Sequence, residues 1–165
     1  MLAPRWSAEP TSGAGAAKHG GRFNQPGRPA LYMSEDFATA VAEYEQDLGI
    51  RPGTLCAYAV DVRKVMNLAD ARILAQLRFT PADLRVAWKH VALIERRRPP
   101  TWDLAERLIA AGANGALVPS MRGTDSNLVL WRWNQAGGGT VRVLDPLGDL
   151  RLKPERVRRR RTRPT

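Results

Sequence analysis

Arg22 stands in the segment Gly20-Gly21-Arg22-Phe23-Asn24, with glycines before it and an aromatic ring after it. A guanidinium fork matches the geometry of phosphate oxygens, and absent side chains let a ligand approach the backbone, so the segment is a candidate for anion recognition as well as an ordinary loop. Ser120 follows a strand-like run and a proline. A hydroxyl there is either fixed and aimed at a substrate oxygen or caps the next turn. Asn127, which opens the next strand-like run, holds a substrate, the Ser120 loop or a turn. Tyr32 reads equally as a core tyrosine or as an aromatic face at the end of a strand. Glu43 and Glu45 share one helical segment. By helical angle Glu43 lies away from the apolar stripe and reads as a solvated glutamate, whereas Glu45 is nearer the stripe and is its rival.

Other familiar chemistries lack their spacing. Gly20-Gly21 and Gly137-Gly138-Gly139 fit neither the GxGxxG nor the GxxxxGK[ST] phosphate loop. His19 and His90 are far apart, outside any HExxH pattern, so no metal site is expected and both histidines read as incidental. Cys56 is the single cysteine, which excludes a disulfide within the chain and reads as a small buried hydrophobe.

The elements that must position these residues alternate short strands with short helices. Met1–Gly21, rich in Pro, Gly, Ala and Ser, has no sustained period and reads as an irregular arm. Ala30–Met33 reads as a strand, and Ser34 as the N-cap of a helix over about Asp36–Leu48, whose Phe37, Val41, Tyr44 and Leu48 form a core-facing stripe. Thr54–Val62 and Val65–Leu68 read as extended. Thr80-Pro81-Ala82-Asp83 is a start signal for a helix through Trp88, and Thr101 caps a second helix over Trp102–Ala111 that Gly112 stops. Ala116–Val118 and Asn127–Trp133 are strand-like, and Gly137–Gly139 turns the chain into Thr140–Leu144 to complete a hairpin. Separated strands, short helices and no internal repeat predict a single compact α+β domain.

At 165 residues and 44% hydrophobic, one domain with a real core is the expectation. No run is apolar for the roughly 18 to 20 residues that span a bilayer, and Met1–Gly20 lacks the order of a signal peptide, so the protein is expected in the cytoplasm with no membrane partner. The net charge of +10 is concentrated at the end of the chain. Residues 151–165 carry eight basic side chains against one acid, leaving the body with 18 basic and 15 acidic residues. An arginine run such as Arg158–Arg161 repels itself, so residues 1–150 are expected to form the domain and 151–165 a solvated tail able to hold nucleic acid weakly through phosphates.

The blocks Gly20-Gly21-Arg22-Phe23-Asn24-Gln25-Pro26-Gly27, Pro29-Ala30-Leu31-Tyr32-Met33-Ser34 and Ala40-Val41-Ala42-Glu43 resemble the RES family. So do Pro10–Ala16, Ala110-Ala111-Gly112, Val118-Pro119-Ser120 and Asn127–Trp131, in the same order over residues 3 to about 148. The resemblance implies a fold like the diphtheria-toxin-like ADP-ribosyltransferases, with central mixed and antiparallel sheets and short flanking helices. It implies a bacterial toxin that consumes NAD+ as substrate, with no separate cofactor, by hydrolysis, phosphorolysis or transfer of ADP-ribose to a protein. Its partners would be an Xre-type helix-turn-helix antitoxin, through which contact with DNA is indirect, and further copies of itself. Carried over residue by residue, it makes Arg22, Tyr32, Glu43 and Ser120 catalytic and Gly21, Asn24 and Asn127 substrate-binding. It selects Glu43 over Glu45 and places the Tyr32 ring against nicotinamide. Where members open with a strand carrying a Tyr-Arg pair, this sequence has Met1-Leu2-Ala3-Pro4, and Arg5 does not match that arginine. Non-catalytic binding of the antitoxin or of nucleic acid is the alternative.

Overall fold

The computed structural model describes residues 1–45, 49, 52–122 and 125–153. The basic tail expected over 151–165 therefore falls, from residue 154 onward, outside the described residues, as does the expected end of the first long helix at Leu48. Two sheets form the centre of an α+β domain. Strands β1 (Leu31–Ser34), β3 (Val65–Asn67), β4 (Gly115–Pro119) and β5 (Ser126–Leu130) make a mixed sheet in the order β1-β5-β4-β3, with β3 and β4 parallel and the other pairs antiparallel. Strands β2 (Ala57–Asp61) and β6 (Thr140–Leu144) pair antiparallel in a second sheet.

Alternation along β4 and β5 sends side chains to two cores. Ala116, Val118, Val129 and Trp131 join Leu104 and Leu108 of helix α5 (Pro100–Ala110), Leu74 of α3 (Ala71–Gln76) and Leu84 of α4 (Pro81–Leu84). On the opposite face Leu31 and Leu130 meet Val141 of β6, with Tyr58 of β2 packed against them. The hairpin expected of Asn127–Trp133 and Thr140–Leu144 is thus not formed: β6 crosses to β2. Asn134, at φ +50, marks the turn away, accepting from the Val141 amide and donating to its carbonyl at 2.8 and 2.9 Å. Near the start of the chain, Leu2 forms an isolated antiparallel bridge with Thr54.

Two helix signals act as read. Thr80 and Asp83 form a reciprocal capping box at α4, which ends at Leu84 and not at Trp88. At the end of α5 the Gly112 and Ala113 amides donate to the Ile109 and Leu108 carbonyls with Gly112 at φ +88, a left-handed stop that glycine adopts without strain. The segment Met1–Gly21, expected to be irregular, contains α1 (Ala14–His19), a short Ala/Gly helix with no apolar period to reveal it.

Two caps differ from expectation. Helix α2 (Phe37–Glu45) is capped by Asp36, whose Oδ1 accepts from the Thr39 amide at 2.9 Å, and bonds from Thr39 hold its carboxyl below the usual range. Ser34 is released for another contact. Helix α5 begins at Pro100, so Thr101 lies inside its first turn, fully buried, and among the described residues its Oγ1 has no hydrogen-bond partner. A buried hydroxyl without a partner costs about 1–3 kcal/mol. Thr101→Val, which removes it at nearly constant shape, is expected to stabilise the protein by about 1 kcal/mol, measured as a rise in urea midpoint at unchanged slope.

Candidate active site

Glu43 is the centre of a hydrogen-bonded cluster, and the sequence pattern alone points it the wrong way. The stripe that includes Phe37 and Val41 does not face a core: Phe37 is 68% exposed, and the buried residue of α2 is Thr39, one turn before Glu43. Helix α2 lays its small and polar side toward the sheet because the sheet end offers donors there. Glu43 Oε1 accepts from Ser120 Oγ at 2.8 Å, Asn127 Nδ2 at 2.8 Å and the Met121 amide at 3.1 Å. Asn127 is oriented in turn by Ser34, whose Oγ donates to its Oδ1 at 2.7 Å. Strands β1 and β5, paired with Ser34 opposite Asn127, supply this chain of contacts, and the end of β4 brings Ser120. Among the described residues, no donor reaches Glu43 Oε2.

The second part of the site is the loop carrying Arg22. Its Nη1 donates to the Leu84 carbonyl at 3.0 Å and the Val86 carbonyl at 2.8 Å, groups left over where α4 ends. Burial pulls this guanidinium below its usual range, and the charges of Glu43 and Tyr32 act in the opposite direction. The loop is anchored from both sides by indoles: Trp102 Nε1 donates to the Gly21 carbonyl at 2.8 Å and Trp131 Nε1 to the Phe23 carbonyl at 2.9 Å. The tryptophans carry no catalytic signature in the sequence. Their role is visible only when α5 and β5 are placed beside the loop.

Tyr32 closes the arrangement. Its hydroxyl donates to Asn24 Oδ1 at 2.8 Å and accepts from the Phe23 amide at 2.9 Å, and burial of this end raises its pKa. The remainder of the ring is open enough that the residue is 36% exposed. Asn24 is placed beneath the site and not in its wall: it is 1% exposed, and its Nδ2 donates to the carbonyls of Ala16, Gln25 and Arg28. Gly21 is required by this packing. A Cβ there would lie 2.5 Å from Tyr32 Oη and 2.6 Å from Asn24 Oδ1. Gly21→Ala is therefore expected to destabilise the protein by about 1–3 kcal/mol, read from its denaturant midpoint, because Tyr32 and Asn24 must part to admit the methyl group.

A cleft of about 690 Å³ joins the two parts. That volume lies in the range of about 300–1,000 Å³ usual for small-molecule sites. Gly21, Arg22, Tyr32, Glu43 and Asn127 line it, and Ser120 stands behind Glu43. His19, read from the sequence as incidental, also lines it; His90 instead faces Glu95 at 3.4 Å. Arg28 forms a two-pronged ion pair with Glu106 at 2.7 and 2.8 Å. Cys56 is half-buried, and burial raises the pKa of its thiol. Among the described residues no three His, Cys, Asp or Glu side chains gather as a metal site, and no helix is long and apolar enough to cross a membrane.

The blocks that converge on this cleft are those of a known domain: the sequence profile of the RES domain matches residues 2–153. The chain belongs to the RES family. Comparison with curated proteins gives no match. Membership associates this RES domain with toxin–antitoxin systems and NAD+-related activity. Its match extends past residue 150, where the domain was expected to end, to Lys153, whose amide donates to the Ala8 carbonyl and whose Nζ pairs with Glu9 at 3.0 Å.

Proposed function

We propose that this RES domain is the toxin of a toxin–antitoxin pair and cleaves the bond between nicotinamide and ribose in NAD+. The observation that carries the reading is the fixed carboxylate of Glu43, tied through one oxygen by three donors, in a cleft that also presents an arginine and an aromatic ring. Cleavage of the C1′–N bond sends its electron pair to nicotinamide and leaves positive charge on the ribose. An anion that is already oriented lowers the energy of that charge without having to reorganise. Glu43 supplies the anion or holds a ribose hydroxyl, and Ser120 and Asn127 keep it in place. The Tyr32 ring orients nicotinamide by stacking, and Arg22 pairs with the diphosphate.

In the hydrolytic form, water adds to C1′ and releases one proton, giving ADP-ribose and free nicotinamide. Phosphate or a protein side chain is the alternative acceptor. Two packed sheets, the four-stranded one contributing to the cleft through β1, β4 and β5, are consistent with a diphtheria-toxin-like fold. Leu93 and Met121, apolar and exposed on the cleft lining, would be covered by an Xre-type antitoxin.

Incubating the purified chain with NAD+ and following nicotinamide by chromatography tests the reading. Nicotinamide release is the expected result, and the accompanying product identifies the acceptor. A folded protein that leaves NAD+ intact and binds antitoxin would establish the non-catalytic alternative.

A further inference from the structure

The roles above leave part of the cleft lining unassigned. The segment between α4 and α5 contributes Trp88, Lys89 and Leu93 to the same cavity. Leu93 belongs to a single π-helical turn, His90–Ile94, and is 68% exposed. Trp88 is half-buried and held in two ways. Its ring packs against that of Trp102, with centroids 6.4 Å apart and planes at 45°, and Trp102 is itself bonded to the Gly21 carbonyl. Two residues before Trp88, the Val86 carbonyl accepts from Arg22. The indole is thus fixed relative to the arginine assigned to the diphosphate. Lys89 Nζ lies over the Trp88 ring, 5.9 Å from its centroid, which places a cation at one face of the indole.

An indole face next to a lysine and an arginine suits a purine nucleotide: the ring stacks on the base and the cations meet its phosphate. We propose that Trp88 and Lys89 form the adenylate subsite of the cleft, with Trp88 stacking on adenine and Lys89 pairing with the adjoining phosphate. This rests on the reading of the cleft as an NAD+ site. Its consequence is selectivity, because nicotinamide mononucleotide fills only the end lined by Tyr32 and Glu43. Stacking on Trp88 then favours the dinucleotide.

The test compares NAD+ with nicotinamide mononucleotide as substrates of the full chain, its Trp88→Ala and Trp88→Phe variants and Lys89→Ala. Trp88→Ala is expected to raise KM for NAD+ by about 10–100-fold and to reduce the NAD+ preference over the mononucleotide by the same factor, with Trp88→Phe restoring most of it. Equal losses on both substrates would mean that Trp88 acts only by supporting Arg22, and would overturn the subsite. So would an unchanged KM for NAD+. Binding of AMP, followed by quenching of tryptophan fluorescence and by calorimetry, separates this inference from the catalytic reading. If the wild type cleaves neither substrate yet binds AMP in a manner abolished by Trp88→Ala, the subsite stands and the catalytic reading falls. If it binds no AMP, the subsite falls whatever the activity.

Discussion

Replacing Glu43 by glutamine is expected to slow nicotinamide release by about 10²–10³-fold while the protein remains folded. The separation of the two effects follows from the hydrogen bonds. Glutamine keeps an acceptor oxygen for Ser120 Oγ, Asn127 Nδ2 and the Met121 amide, so the contacts at Oε1 survive as neutral bonds, about half as strong as those to a carboxylate. What is lost is the negative charge. If that charge faces a ribosyl cation forming in the cleft, its removal raises the barrier far more than it weakens the ground state, so kcat falls and KM moves little. Glu43→Ala gives a less clear result, since it also removes the acceptor of the part-buried Asn127 Nδ2, at about 1–3 kcal/mol. Steady-state kinetics of the glutamine variant, with its melting curve alongside, distinguishes the cases. Turnover within threefold of wild type would remove Glu43 from the chemistry and leave it as a strut between α2 and the β4–β5 end.

The reason Glu43 is hard to find without the family pattern is also a physical one. Periodicity reports which residues are apolar, and on α2 the apolar stripe is weak: Phe37, Val41 and Tyr44 are separated by alanines and by Glu43 itself. A carboxylate facing inward contradicts such a pattern unless donors await it, and those donors come from residues 77 and 84 positions away. Local signals fared better where the partners are local. The Thr80–Asp83 box and the Gly112 stop lie within a few residues of the atoms they satisfy. The Ser34 cap failed because two oxygens compete: Asp36 stands at the position from which Thr39 N–H is reached, and Ser34 turns to Asn127 across the sheet. The β5–β6 hairpin failed for a similar reason, since β5 already has β1 and β4 on its two edges and no edge remains for β6. Gly21, Arg22, Tyr32 and Asn127, from blocks far apart in the sequence, all line one cleft. Asn24 belongs to the same blocks because it fastens the loop from below.

Arg22→Lys is expected to lower kcat/KM for NAD+ by about 10–100-fold, chiefly through KM. Both side chains carry one positive charge, so a loss of this size cannot come from net charge. It comes from the number and placement of donors. Nη1 of Arg22 is committed to the carbonyls of Leu84 and Val86, and the other guanidinium nitrogens are fixed in the same plane. One part of the fork therefore holds the segment after α4 and leaves the other nitrogens for the proposed diphosphate contact. A lysine ammonium placed at those two carbonyls is spent on them, and one placed at the diphosphate leaves them unbonded. Diphosphate contacts persist from bound substrate to transition state, which is why the change should appear as weaker binding and not as slower chemistry. A fall in kcat at unchanged KM would instead assign Arg22 to the reacting ribose. Because the same segment carries Trp88, the lysine variant should also weaken AMP binding. That loss would make Arg22 the link between the diphosphate contact and Trp88, a role that neither its charge nor its place in the sequence discloses.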